Sequence, residues 1–111
     1  MPASLASVLQ VAQQIARRQG GLATSPVEVY PDGDIRLCAA ACVGFAALRL
    51  ADGDAIAQAF RNELASSTNA PILEQTFERF GFGKLLCSLI RIENDRLPPE
   101  ARLNWFLDLK A

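Results

Sequence analysis

The chain has no histidine. That removes the commonest general base, the Ser-His and Cys-His nucleophile pairs, and the commonest metal ligand. Cysteine is sparse, and its three copies are an odd number. They make no closed disulfide framework, which points to a reducing, cytoplasmic setting. No sign of charge dominates: 11 basic residues stand against 12 acidic ones, and the basic residues are scattered. Neither a nucleic-acid footprint nor an anionic-lipid footprint is readable. The first ten residues, MPASLASVLQ, lack the basic segment of a secretory signal. No acidic residue precedes Glu28, a faint trait of transit peptides, but helical periodicity explains this segment better. No apolar run reaches the ~20 residues of a membrane span. Internal repeats, low-complexity tracts and interdomain linkers are missing too.

What is present is half hydrophobic and 21% charged, a balance that argues against disorder. One domain over residues 1–111 is expected, large enough to hold a core without staples. The stretch that organises it is residues 37–50, LCAAACVGFAALRL, uncharged until Arg49. Cys38, Cys42 and Phe45 fall on one helical line, Val43, Ala47 and Leu50 on a second, Ala41 and Leu48 on a third. A helix apolar all round is a buried helix. Alanine favours it locally, and small side chains let neighbours approach closely. Gly44 marks a close crossing.

The rest reads as helices around that centre. Residues 3–19 place Leu5, Val8, Leu9, Ala12, Ile15 and Ala16 in one arc, with Ser7, Gln10, Gln13, Gln14, Arg17 and Arg18 opposite. Residues 26–37 predict a short β-hairpin, its turn made by Pro31-Asp32-Gly33-Asp34. Val27, Val29 and Ile35 are expected to lean on the helices. Asp54 is expected to cap a third helix ending near Ser66, with Ile56, Ala57, Phe60 and Leu64 inward. Thr68 or Asn69 would cap a fourth helix near Pro71, faced by Leu73, Thr76, Phe77 and Phe80. Residues 83–93 read as a fifth helix with a wide apolar arc of Leu85, Leu86, Leu89, Ile90 and Ile92, a strand being the alternative. Pro98-Pro99-Glu100 opens the last helix, which runs to about Leu109. The fold class is therefore all-α: five to six helices around a buried central one, with the hairpin at 27–37.

The first amphipathic helix, the loop ending at Cys38 before small residues, the third helix and the late Asn94-Asp95 pair resemble a family of small bacterial and phage proteins of unknown function. Its members carry a Cys-Ala-x-x-Ala-like helix start and a late Trp-Asn-Asp signature. The resemblance covers residues 9–109, with Ile92-Glu93 standing where an aromatic is expected. It implies a helical fold and a bacterial or phage source, and it brings no activity.

The candidate chemistry is thin. Cys38 and Cys42 share one helix face and Cys87 can approach them, but a metal site of three thiolates wants a fourth ligand such as Asp34. Core packing is the plainer role for apolar-flanked cysteines, so no metal and no cofactor is expected. Cys38 at a helix start would lie near a positive dipole end. Asp32-Gly33-Asp34 and Asp52-Gly53-Asp54 read as turn and cap rather than calcium loops. Gly81-Phe82-Gly83-Lys84 lacks the pattern of a phosphate loop and leaves only N–H groups near Lys84 as a weak anion site. Glu93-Asn94-Asp95 offers a carboxylate pair for acid–base work, but the expected role is to supply a capping side chain to the final helix.

In the last helix Leu103, Phe106 and Leu107 form one apolar stripe, and Ala101, Trp105 and Leu109 a second on nearly the opposite side, with Arg102 between them. The second stripe is either covered by the hairpin or the first helix, or it is an interface anchored by Trp105, most simply between two copies. The expected function is accordingly a non-enzymatic interaction or regulatory module, presenting a helical surface to a protein partner or to its own copy, with no nucleic acid and no membrane. The alternative is a small-molecule binder or thiol-dependent enzyme with a pocket near Cys38, Lys84 and Asp95.

Overall fold

Ser4 opens the first helix, its hydroxyl accepting from the Ser7 N–H at 3.1 Å, as an N-cap does. The computed structural model describes residues 4–24, 26–67 and 70–110. Helix α1 (Leu5–Arg18) buries Val8, Leu9, Ala12 and Ala16, the arc its periodicity marks. Strands β1 (Val27–Val29) and β2 (Ile35–Leu37) form an antiparallel hairpin, with Val27 opposite Leu37 and Val29 opposite Ile35. Four more helices follow the central α2 (Ala39–Asp52): α3 (Asp54–Ser67), α4 (Ala70–Arg79), α5 (Lys84–Arg96) and α6 (Pro99–Leu107). Among the described residues the fold is mainly α, six helices and one hairpin, as the sequence predicts.

Two strands alone are marginal in water. Gln19 supplies part of what a third strand would. Its side-chain amide donates to the Leu37 carbonyl at 2.8 Å and accepts from the Leu37 N–H at 3.1 Å. Val27 and Ile35 pack on the core. Val29 does not, contrary to expectation: it lies beside the turn and is 56% exposed.

The central helix is buried continuously from Ala39 to Leu48. It touches α1, α3, α4, α5 and β2. A Cβ added at Gly44 would lie 3.0 Å from the Phe60 ring and 3.4 Å from a Leu73 methyl. Side chains of α3 and α4 therefore press directly on α2 where its bulk is least, the close crossing that Gly44 suggests.

Several boundaries differ from the sequence reading. Leu37 belongs to β2, and Cys38 caps α2 rather than lying inside it. Gly53 adopts φ 100°, a conformation that glycine takes without steric penalty, and joins α2 to α3 with one residue between them. Asp54 is thus the first residue of α3, where its charge suits the helix dipole, and not the cap. Ala57, Phe60 and Leu64 point inward, but Ile56 is 49% exposed. The proposed caps Thr68 and Asn69 lie outside the described residues. The 83–93 segment is helix and continues to Arg96, so Glu93-Asn94-Asp95 lies within α5 and cannot cap α6.

Candidate functional site

Asn94 caps a different helix. Fully buried on α5, its Oδ1 accepts from the Ala39 N–H at 3.0 Å, the first N–H of α2. Its Nδ2 donates to the Ala23 carbonyl and to Asp95 Oδ1, both at 2.9 Å. Arg102 then fastens α6 to the same place. Its Nε donates to the Asn94 carbonyl at 2.7 Å and the Leu97 carbonyl at 3.0 Å. Arg102, the residue between the two stripes of the last helix, is buried. A buried guanidinium needs acceptors, and the last carbonyls of α5 provide them.

The three pocket candidates do not converge. Cys38 sits under this junction, buried, its Sγ accepting from the Ala41 N–H at 3.4 Å. Asp95 is exposed at the last turn of α5, and Lys84 is exposed at its first residue. Eleven helical steps separate Lys84 from Asp95, roughly 16 Å of rise. None of the three cysteines forms a disulfide. Burial, and after it the neighbouring Cys38, pushes the Cys42 thiol well above its ordinary range. Burial raises Cys87 to about 11. Neither carries the depressed pKa of a reactive thiol. Asp34 is turned to its own hairpin, accepting from the Ile35 N–H at 3.1 Å. Among the described residues no three Cys, Asp or Glu side chains cluster to hold a metal ion.

The open surface lies on the outer side of α5. Leu85, Leu89 and Ile92 are 73%, 55% and 63% exposed. At i, i+4 and i+7 they share one line of the helix. Cys87, Ile90 and Asn94, on the opposite side, face the core. The sequence counts all five apolar residues of this helix in one wide arc. The same angles divide them into an inner and an outer stripe once Cys87 and Asn94 are recognised as inner.

Beside the outer stripe runs an apolar groove of about 250 Å³. Leu5 and Leu9 of α1, Leu86 and Leu89 of α5, and Trp105 and Leu109 line it. Trp105 and Leu109 are partly buried against the core. The groove is where α1 partly covers Trp105 of α6 and Leu109, which lies two residues past the end of that helix and not within it as expected, leaving a cleft instead of a flat face. Ala101, the third member of the expected second stripe, is partly buried. At the polar edge Glu93 is hydrogen-bonded by Arg96, which holds its carboxyl below the usual range.

Fold and surface together define a mainly α bundle with an outward apolar helix face and a cleft next to it. No family model matches the chain, nor does any curated protein or solved structure. No helix among the described residues is long and apolar enough to cross a membrane.

Proposed function

We propose that the protein is a non-enzymatic interaction or regulatory module whose working surface is the outer face of α5. The observation that carries this reading is the line Leu85–Leu89–Ile92, three large aliphatic side chains, each more than half exposed. Exposed apolar residues scattered singly need no explanation, whereas a contiguous set marks a contact surface. Leu89 also lines the groove that holds Trp105, so the apolar surface continues from helix face into cleft. Tryptophan in such a cleft is a residue type enriched at interface hot spots.

The alternative of a small-molecule or thiol site near Cys38 and Asp95 has less support. Cys38 is buried and engaged as a cap, and Asp95 and Lys84 lie at opposite ends of one helix.

A photo-crosslinking residue placed at Leu85 tests the proposal in cells that carry the protein naturally. A discrete adduct is expected from position 85, and none from Gln14 on the exposed side of α1. Equal background at both positions would overturn it.

A further inference from the structure

We infer that the occupant of this face is a second copy of the same chain, held by α5 pairing antiparallel with its twofold mate. The inference rests on the interaction reading above and adds the partner. Viewed down the helix, the stripe Leu85–Leu89–Ile92 has two flanks. One flank carries Leu86 and Glu93 and borders the groove. The other carries Lys84, Ser88, Arg91 and Asp95, and Ser88, Arg91, Ile92 and Asp95 line a shallow depression there. Arg91 on that side reaches Glu74 of α4 at 3.9 Å.

A twofold axis that reverses a helix keeps each flank on its own side of the pair. Residues meeting across the axis on one flank therefore come from the same flank of the two copies. Lys84 lies at one end of its flank and Asp95 at the other. With the axis crossing α5 close to Leu89, each Lys84 comes level with the other copy's Asp95. Two opposite-charge pairs then form at once, one at each end. The same axis brings the two Leu89 side chains together and sets each Leu85 near the other copy's Ile92. Apolar centre and charged ends are thus matched in a single register, which is what a self-complementary surface requires. Arg96, at the end of the stripe line, is turned to Glu93 on the groove side, so its charge is matched within its own copy. Antiparallel helix dipoles favour the arrangement as well. A formal net charge of −1 per chain gives little repulsion between copies.

A stable interface takes roughly 800 Å² per partner, against a total surface of 5964 Å². One thirteen-residue helix supplies only part of that. The groove rim, continuous with the stripe through Leu89, supplies a further apolar edge on the same side of both copies.

Sedimentation equilibrium on the full chain, with circular dichroism on each variant, tests the pairing. Wild type is expected to dimerise in a concentration-dependent way, and Leu89→Lys to be monomeric with unchanged helicity. Lys84→Glu and Asp95→Lys alone each set like charges level with one another and are expected to raise the dimer dissociation constant about tenfold or more. The double variant Lys84→Glu/Asp95→Lys restores opposite charges and recovers the affinity. A wild type that stays monomeric at millimolar concentration overturns the self-pairing. So does a dimer whose affinity the double variant fails to recover after both single changes have weakened it, or one that neither single change weakens. The Leu85 crosslink separates the two levels: an adduct of twice the chain mass supports self-pairing, an adduct to another protein overturns it while keeping the interaction reading, and no adduct ends both.

Discussion

The Asn94 Oδ1 accepts from the Ala39 N–H at 3.0 Å, across 55 residues of sequence. It joins the buried start of the central helix to the inner side of α5. The first N–H groups of a helix have no intrahelical partner, and water does not reach this one, since Ala39 and Cys38 are both fully buried. Asn94 also satisfies the Ala23 carbonyl at 2.9 Å. One amide therefore closes the N-terminus of α2 and the chain leading into the hairpin.

Asn94→Ala is expected to lower unfolding free energy by about 2–5 kcal/mol, because it leaves a buried donor and a buried acceptor unpaired at once. Asn94→Asp keeps the acceptor for Ala39 but sets a carboxylate against Asp95 and the Ala23 carbonyl. Its deficit relative to wild type should be largest near neutral pH and shrink as that carboxylate protonates. Urea unfolding at several pH values reads both effects. An Asn94→Ala protein as stable as wild type would remove Asn94 from this role.

Gly44 offers the second test. Alanine is the better helix former by about 1 kcal/mol. The Phe60 ring would stand 3.0 Å from the new methyl group, and overpacking costs ~1–3 kcal/mol. Packing wins, so Gly44→Ala is expected to destabilise. Ala40→Leu and Ala47→Leu, at positions with essentially no exposure, should destabilise further. The double variant Gly44→Ala/Phe60→Leu should recover part of the first loss, since it shortens the group that is struck. Thermal melts of the four variants beside wild type suffice, and a Gly44→Ala protein that melts above wild type refutes the close crossing.

The periodic residues were the legible part of this chain. The buried arc of α1, the all-round burial of α2 and the hairpin turn all follow from spacing and turn chemistry. What spacing does not carry is pairing between distant polar groups. Gln13 lies on the polar side of α1, yet its amide donates to the carbonyls of Phe106 and Leu109 at 3.0 and 2.9 Å and ties the end of α6 to α1. Gln19, Asn94 and Arg102 act in the same way. Their partners are not readable in sequence, and Asn94, expected at a cap, caps α2 and not α6, because a lone polar side chain has no period. The outer stripe of α5 was hidden for a related reason: an apolar residue announces burial, and only the packed neighbours reveal which side of a two-sided helix is left over. Asp95 and Lys84, pocket candidates in sequence, lie on one flank of α5 at its two ends, a separation that only the helix boundaries make plain.

Asp52 and Arg79 join the last residue of α2 to the last residue of α4, with Arg79 donating from both terminal nitrogens at 2.6 and 2.9 Å. This hydrogen bonding holds the Asp52 carboxyl below its usual range. A depressed folded pKa contributes stability that is present above the unfolded pKa and is lost as pH falls through the folded value. The gap in melting temperature between wild type and Asp52→Asn is therefore expected to close as the pH is lowered to about 3, and to narrow in salt because the pair is exposed. A gap independent of both pH and salt would show that the fork contributes nothing through its charge.

The cysteines give the final prediction, in the opposite pH direction. Cys87 is buried and raised from an ordinary 9.0 to about 11, and Cys42 is raised well above its usual value, chiefly by burial. On unfolding, both thiols reach water and ionise near their ordinary pKa, while the folded chain keeps their protons. Above pH 9 the unfolded state then binds fewer protons, so stability falls with rising pH. The contribution is complete below the ordinary thiol pKa and is lost as pH rises through the folded value. A pKa unit corresponds to about 1.36 kcal/mol, so Cys87 accounts for a loss on the order of 2–3 kcal/mol across that window. The same burial keeps the thiolate from forming in the native state. A mild disulfide reagent at neutral pH is therefore expected to label none of the three cysteines until denaturant is added, and to label all three then. Cys87→Ala should flatten the alkaline slope, whatever its own cavity costs. Fast stoichiometric labelling of the folded protein at Cys38 would reverse this account and return the thiol to the candidate chemistry.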